Sequence, residues 1–208
     1  MSPRPRKVTD SQLFTAMQAV MNRVGPRDLT LAAIAREAGV TAAVIVQRFG
    51  SKRAMLRAAA EKFAEGSGEF IGEQVRRHAS SLKALRAYAD CMAGMAVSPT
   101  ALVRNLAYLQ DDLTDPVLHK HLRKHARATG AALQKLLKAA KDAGELLPTA
   151  DPRSLARTIE AVISGSMLSW AVHREGSAKG WMRADLESVL APYVKARRRA
   201  TRRSGDRS

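Results

Sequence analysis

Three histidines stand together in the segment HKHLRKHAR and form the densest group of side chains that could do chemistry: His119, His121 and His125. The last two are four residues apart, a spacing that can place two ligands of one metal ion on a single helix face. No cysteine or glutamate completes a recognised metal motif, and three cations share the same turns, Lys120, Arg123 and Lys124. We therefore expect a solvated basic face, with metal binding as the alternative that the sequence leaves open.

The other reactive side chains do not form a catalytic pattern. The adjacent acids Asp111 and Asp112 are expected to lie near the end of a helix rather than to perform acid–base catalysis. The lone cysteine, Cys91, is expected to be a small buried residue, and it allows no internal disulfide, which fits a reducing cytoplasm. The sequence has no glycine-rich phosphate loop, nucleophile elbow or HExxH motif. It therefore predicts neither an enzyme nor a bound cofactor.

The charge of the chain favours a polyanionic partner. The 35 lysines and arginines outnumber the 19 acids, which gives a formal net charge of +16. Such an excess favours nucleic acid first and an anionic membrane surface second. Part of it is concentrated at the ends, in a basic arm at Arg4, Arg6 and Lys7 and in the segment KARRRATRRSGDR at 195–207. We expect both ends to be solvated tails that raise affinity for DNA without a fixed geometry.

The apolar residues recur at the three- and four-residue spacing of amphipathic helices along nearly the whole chain. No segment alternates in the manner of a strand, so an all-α fold of about nine helices is predicted. The fourth helix is expected to break or bend at Gly66-Ser67-Gly68, and later helices are expected at about 82–96, 100–110, 116–143, 152–174 and 181–197. No apolar run approaches the roughly 20 residues that span a bilayer, and no secretory signal is present, so we expect a cytoplasmic location.

The segment REAGVTAAVIVQRFGSK at 36–52 has the pattern of two short helices joined by a sharp turn. Gly39 accepts the left-handed conformation that such a turn needs, and Val40 can fill the gap between the helices. Two small side chains of the first helix allow a close crossing, Ala35 and Ala38. Ile45 and Phe49 are four residues apart and therefore share the inward face of the second helix. The segment is predicted to be a helix-turn-helix.

The outward face of that second helix is then mostly short and apolar: Ala43, Val44, Val46 and Gln47. Short apolar side chains let a helix approach the major groove and touch thymine methyl groups, and Gln47 adds a donor and an acceptor suited to adenine. Ala42 is also a predicted DNA contact. The predicted contacts further include four residues suited to phosphate: Thr30, Thr41, Arg48 and Lys52. The alternative is that this face packs on another part of the same chain.

Residues 10–56, approximately, resemble the DNA-binding domain of TetR-family transcriptional regulators. The resemblance rests on Thr30, Ile34, Ala35, Ala38-Gly39-Val40-Thr41, Ile45, Phe49 and Ser51-Lys52. The later segment AKDAGELLPTADPRSLARTIEAVISG is similar to the last helices of the family's ligand-binding domain. The resemblance implies a homodimer that binds an operator, usually as a repressor, and that a small molecule in the C-terminal domain releases from DNA.

Two positions depart from the pattern of that family. Its members often carry Tyr where Val46 stands, and His or Tyr where Arg48 stands. The family's Tyr commonly contacts DNA. Its absence here shifts the predicted contacts onto Gln47, Arg48 and Lys52.

The two last helices carry apolar and small side chains that are suited to an interface between helices. We predict a dimer interface formed by Ile159, Val162, Ile163, Gly165, Ser166, Leu186, Leu190 and Tyr193. The alternative is that these residues form the core of a single chain. A two-fold interface of four helices would imply a palindromic operator.

Adaptable methionines and aromatic residues of the middle and later helices could line a ligand pocket: Met92, Met95, Leu106, Tyr108, Met167 and Trp170. Few charged residues lie among them, so an apolar or aromatic effector is predicted. Ordinary core packing is the alternative for the same residues.

The sequence thus predicts a two-domain helical regulator. A helix-turn-helix domain is expected at 1–56, a ligand-binding and dimerisation domain at 57–198, and a basic disordered tail at 199–208. The predicted partners are double-stranded DNA with a palindromic operator, a small-molecule effector and a second copy of the chain, without a membrane. Two alternatives remain: a regulator or activator of the same fold that senses no ligand, and a basic helical module that binds membranes or partner proteins.

Overall fold

The computed structural model describes residues 8–194, which form nine α-helices and one short 3₁₀ helix. These residues contain no β-strand, so the predicted all-α fold is confirmed. The elements are α1 Asp10–Met21, α2 Leu31–Ala38, α3 Ala42–Phe49, α4 Lys52–Arg77, α5 Ser81–Gly94, α6 Pro99–Thr114, α7 Pro116–Asp142, α8 Pro152–His173, α9 Ala178–Leu190 and the 3₁₀ turn Ala191–Tyr193. The basic arm at Arg4, Arg6 and Lys7, the segment 195–207 and the tail 199–208 lie outside the described residues.

Local sequence signals explain where most helices begin. A side-chain oxygen accepts a hydrogen bond from a first-turn backbone N–H at the start of eight helices, from Thr9, Thr30, Ser51, Ser80, Ser98, Asp115, Asp151 and Ser177. Proline stands in the first turn of α6, α7 and α8, where a backbone N–H has no intrahelical acceptor, so its absence costs no hydrogen bond. The remaining helix, α3, follows Thr41, whose side chain makes no cap hydrogen bond.

The first hydrophobic core belongs to α1, α2, α3 and the first turns of α4. Its fully buried side chains are Leu13, Leu29, Ile34, Ile45 and Met55. α1 ends at Met21, four residues before Gly25-Pro26. Asn22, the residue that follows α1, contacts α6, because Asn105 Nδ2 donates a hydrogen bond to Asn22 Oδ1 at 3.0 Å.

The second hydrophobic core joins α5, α7, α8 and α9 with the later half of α4. Its fully buried side chains include Ile71, Leu85, Leu133, Leu137, Ile159 and Met182. Met55 belongs to the first core and Ile71 to the second, so α4 passes from one core into the other. Among the described residues, no helix combines the length and the apolar character that crossing a bilayer requires.

α4 runs without interruption, so of the predicted break or bend at Gly66-Ser67-Gly68 the break is wrong. Ser67 is buried, and its Oγ lies 2.9 Å from the Phe63 carbonyl oxygen and 2.5 Å from Nδ1 of His125 on α7. A glycine lowers helix stability by only about 1 kcal/mol relative to alanine. The packing of α4 along α7 offsets that penalty.

Cys91 is exposed, so the prediction that it is buried is also wrong. Ala89 and Ala93 of the same helix are buried in the second core. Cys91 is two residues from each of them, and two residues turn an α-helix by slightly more than half a revolution. Its side chain therefore lies on the opposite, solvent-facing side of α5.

Candidate nucleic-acid interface

A sharp turn at residues 39–41 joins α2 to α3. Gly39 has φ 68° and ψ 31°, the left-handed conformation that glycine adopts without steric penalty. Val40 N donates a hydrogen bond to Ala35 O at 2.9 Å, and the Val40 side chain packs against the first core. The predicted helix-turn-helix is therefore present at the predicted residues.

α3 is held through one face and exposes the other. Ile45 is fully buried, and the Phe49 ring lies 5.6 Å from the Phe14 ring of α1, measured between centroids. The outward side chains are exposed at Ala43, Val46 and Gln47 and half-buried at Ala42 and Val44. Val46, a large apolar residue, is 47% exposed. Within the described part of the chain nothing covers this face, which makes it available to an external partner.

The residues predicted to contact phosphate surround α3, and three of them also hold the domain together. Thr30 Oγ1 accepts a hydrogen bond from Ala33 N at 3.1 Å and so caps α2. Arg48 Nη1 donates to Val8 O at 2.7 Å and to Asp10 Oδ1 at 3.1 Å.

Lys52 Nζ donates to Pro26 O at 3.1 Å. An arginine carries five N–H donors and a lysine three, so both cations keep donors for a phosphate while the domain fixes their position. Thr41, which is exposed, has a hydroxyl that takes no part in capping α3. These placements leave the predicted phosphate contacts geometrically open on the rim of α3.

Polar contacts that the sequence did not reveal join α4 to the start of α7. Arg53 and Arg57 both bind the Asp115 carboxylate, with N···O distances of 2.7 and 2.9 Å. Asp115 also accepts hydrogen bonds from the backbone amides of Val117 and Leu118. Burial by itself raises the pKa of this carboxyl, but the two guanidinium groups and the two amides outweigh it, and the pKa lies well below its usual range. The ion-paired partners are 62 and 58 residues apart, so no local pattern indicates them.

α6 attaches the second part of the molecule to the first through Tyr108. The Tyr108 side chain is buried in the first core, and its hydroxyl donates to Val24 O at 3.2 Å. Burial, followed by the nearby charges of Asp111 and Asp28, raises the pKa of Tyr108 to about 12. The hydroxyl therefore stays protonated and remains a donor to Val24 at neutral pH.

This position of Tyr108 corrects the predicted ligand pocket, because the six residues do not lie together. Met95 and Leu106 are 52% and 39% exposed. Only three of the six pack on the second core: Met92, Met167 and Trp170. The physical reason is that α6 turns Tyr108 toward α1 and not toward α5 and α8.

Most of the predicted dimer residues also require a correction. Five of them are buried within the protomer, in contact with its own helices: Ile159, Ile163, Ser166, Leu186 and Leu190. Val162 and Tyr193 are half-buried, and only Gly165 is fully on the surface. The single chain uses the apolar stripes of α8 and α9 for its own core. The exposed side of α8 that contains Gly165 also carries apolar residues that were not in the predicted interface: Ala161, Leu168 and Val172.

The histidine cluster is divided between two environments. His125 faces α4, beside Ser67 and 4.7 Å from the Phe63 ring, and burial lowers its pKa. His119 and His121 instead line an open basic groove on α7. No group of three His, Cys, Asp or Glu side chains among residues 8–194 is placed to hold a metal ion.

Comparison with known proteins agrees with this architecture. A family model described as "Bacterial regulatory proteins, tetR family" matches residues 14–59, and a second, "Tetracyclin repressor-like, C-terminal domain", matches residues 82–186, half of the chain. The chain is 29% identical over 170 residues to the HTH-type transcriptional regulator BetI 2 of Chromohalobacter salexigens, covering 79% of this chain and 78% of that protein. It is 27% identical over 173 residues to the BetI regulator of Proteus mirabilis, covering 82% and 84%.

Solved structures share the fold at low sequence identity. SmeT, the repressor of the Stenotrophomonas maltophilia multidrug efflux pump SmeDEF, superposes with a TM-score of 0.63 at 22% identity, covering 91% of this chain and 92% of that one. A TetR transcription regulator from Haloarcula marismortui gives a TM-score of 0.68 at 15% identity, covering 89% and 98%.

The helix-turn-helix, the helical second part and the two family matches agree with one another and with the sequence-based expectation of a regulator rather than an enzyme. The chain belongs to the TetR family of bacterial regulatory proteins, and it is a DNA-binding transcriptional regulator.

Proposed function

We propose that this regulator is a repressor that binds a palindromic operator as a homodimer and leaves it when a small molecule binds the second part of the chain. The observation that carries the proposal is the outward face of α3, where short apolar side chains and Gln47 stay uncovered. Such a face fits the major groove, with the flanking Thr41, Arg48 and Lys52 positioned for phosphates.

The exposed side of α8 supports the proposed dimer. Gly165 and Ala161 leave its backbone open to close approach, and Leu168 and Val172 add exposed apolar area, 49% and 70% of each residue. A two-fold axis beside this face would present two copies of α3. Half-sites on one face of DNA lie about 34–36 Å apart, so the operator is expected to be a palindrome.

The path of α4 supports the proposed release by a ligand. α4 begins at Lys52 beside α3, is bound to the start of α7 through Asp115, and ends in the second core. A ligand that shifts this core relative to α4 changes the spacing of the two copies of α3. It must bind the DNA-incompetent arrangement more tightly, because equal affinity for both arrangements shifts nothing. Met92, Met167 and Trp170 are the predicted residues that support an apolar or aromatic effector.

A footprint on DNA from the genomic neighbourhood of the coding sequence tests the proposal. We expect a protected palindrome, and a log affinity that falls with log salt at a slope of about −0.9 for each neutralised phosphate. Lys52→Ala should weaken all DNA sequences alike and flatten that slope by about 1. Binding without sequence selectivity would contradict the proposal, and a protected site that no small molecule releases would favour the regulator that senses no ligand.

A further inference from the structure

Glu160 of α8 carries a carboxylate that no side chain of residues 8–194 neutralises. It is half-buried, and burial raises its pKa. Among residues 8–194, its carboxylate takes part in no hydrogen bond and no ion pair with another side chain. This is unusual in a chain where 35 lysines and arginines face 19 acids. A partly desolvated charge without a partner is unfavourable, so a ligand that supplies the partner gains binding energy there.

Two further helices approach this carboxylate. The Glu160 oxygens lie 3.4 and 3.5 Å from the position that a Cβ would occupy on Gly130 of α7, so the carboxylate lies directly against the backbone of that helix. Tyr88 of α5 is close enough that burial, and then the charge of Glu160, raise its pKa to about 12. The Tyr88 hydroxyl also makes no hydrogen bond within residues 8–194.

A partly exposed aromatic ring adjoins Tyr88 on its other side. Phe70 of α4 packs edge-on against the Tyr88 ring, with 6.0 Å between centroids, and it is 37% exposed. Met92, one turn beyond Tyr88, and Met167, on α8, pack against the same core. The cluster thus combines two oxygen-bearing side chains that make no hydrogen bond within residues 8–194 with aromatic and thioether side chains.

We propose that Glu160, Tyr88 and Phe70 form the recognition subsite for an effector that carries a protonated amine on an apolar or aromatic body. This inference rests on the proposed release by a ligand and names the chemical class of that ligand. A carboxylate is an acceptor only, and a phenol oxygen offers lone pairs, so N–H donors with positive charge satisfy both. Aromatic rings also attract a cation, and methionines accommodate an apolar body.

A metal ion is a weaker candidate for this carboxylate. Among the described residues, no three His, Cys, Asp or Glu side chains gather around one point, whereas metal sites need several such ligands. An organic cation needs only one carboxylate together with the aromatic and apolar surface that this site offers.

Calorimetric titration of the full chain tests the subsite. The ligands are phenylalkylamines with two to six methylenes and the alcohols of the same chain length. We expect the best amine to bind about 10- to 100-fold more tightly than its alcohol, as for a hydrogen bond to a charged group. Glu160→Gln should remove that preference while it leaves alcohol binding unchanged. This variant is expected to fold, because it removes an unpaired charge from a partly buried position.

Two variants serve as comparisons. Glu65→Gln changes a carboxylate on α4 that is 47% exposed and pairs with Lys62, and it should leave amine binding intact. Tyr88→Phe should weaken the amine without abolishing it, because one of two acceptors remains. Three results would each overturn the subsite. In the first, amine and alcohol bind equally; in the second, no amine of any chain length binds. In the third, Glu160→Gln and Glu65→Gln have equal effects on amine binding.

Operator affinity, measured with and without the same amines, separates this inference from the proposed function. An amine that binds through Glu160 but leaves operator affinity unchanged would support the subsite and reject release by this ligand. Release by a neutral compound with the same potency for wild type and Glu160→Gln would support release and reject the subsite.

Discussion

At the scale of single residues, Gln47 is the predicted reader of a base. It is exposed on α3, and its side chain alone among the outward residues of that helix offers both a donor and an acceptor. Gln47→Ala should therefore weaken operator binding by about 1–3 kcal/mol and relax the preference at one base pair of each half-site. The measurement is a titration against the operator and its single-base variants.

Gln110→Ala, which changes an exposed glutamine on α6, is the matched control and should leave operator binding unchanged. If Gln47→Ala weakens every operator variant by the same factor, Gln47 positions the helix and does not read a base.

At the scale of helices, two threonines that occupy the same N-cap position have different roles. Thr30 caps α2 with a hydrogen bond, whereas Thr41 precedes α3 without one. Thr30→Ala should lower the free energy of unfolding by about 0.5–2 kcal/mol. Thr41→Ala should leave stability almost unchanged and weaken DNA binding, because its hydroxyl is predicted to meet a phosphate. Urea unfolding of both variants distinguishes the capping roles, and equal losses of stability would refute the difference. Operator titration tests the phosphate contact that is predicted for both hydroxyls.

The junction of α4 with α7 should depend on pH through Asp115. Its pKa lies below the ordinary value of 3.8 because Arg53, Arg57 and two backbone amides outweigh its burial. The carboxylate therefore stabilises the fold above that ordinary value, and this stabilisation is lost as the pH falls toward the depressed pKa of the folded state. Asp115→Asn, which keeps a capping side chain, should lower the unfolding temperature at pH 7.

The difference in unfolding temperature between Asp115→Asn and wild type should become smaller as the pH falls below about 4. Thermal unfolding of both proteins from pH 7 to pH 2.5 measures this difference. Asp142→Asn breaks an exposed pair with Lys138 on α7 and should change stability little at any pH. A difference in unfolding temperature that stays constant over this pH range would show that the charge of Asp115 does not join the two helices.

At the scale of the whole molecule, the exposed side of α8 is the predicted dimer surface. Apart from the neighbouring backbone of α8, a Cβ on Gly165 would meet no atom of the described residues within 4 Å, so these residues leave room for a larger side chain there. Gly165→Leu should therefore act only against a partner, and we expect it to weaken dimerisation by about 1–3 kcal/mol through overpacking. Sedimentation across a concentration series measures the effect.

Gly66→Leu is the control, because Gly66 on α4 is equally open within the protomer and lies on a different helix. Dimerisation that responds alike to both substitutions would place the interface elsewhere than on α8.

The sequence by itself determined the features that depend on neighbouring residues. Thr30, Ser51 and Asp151 cap helices through hydrogen bonds that act within one turn, and Gly39 indicated the turn because its φ is a local requirement. The inward Ile45 and the outward Gln47 followed from helical periodicity alone. For these reasons the all-α fold, the helix-turn-helix and the family could be predicted from the sequence.

Only the tertiary structure decided which surfaces meet. The apolar stripe of α8 is equally suited to its own chain and to a partner, and packing assigned Ile159 and Ile163 to the core. Tyr108 joined the first core because α6 crosses toward α1, a direction that no local pattern contains. Likewise, the pairing of Asp115 with distant arginines, and the lack of a partner for Glu160 among residues 8–194, depend on how four helices are arranged in space. Periodicity specifies the face of each helix, but the contact that covers that face is set by the global packing of the chain.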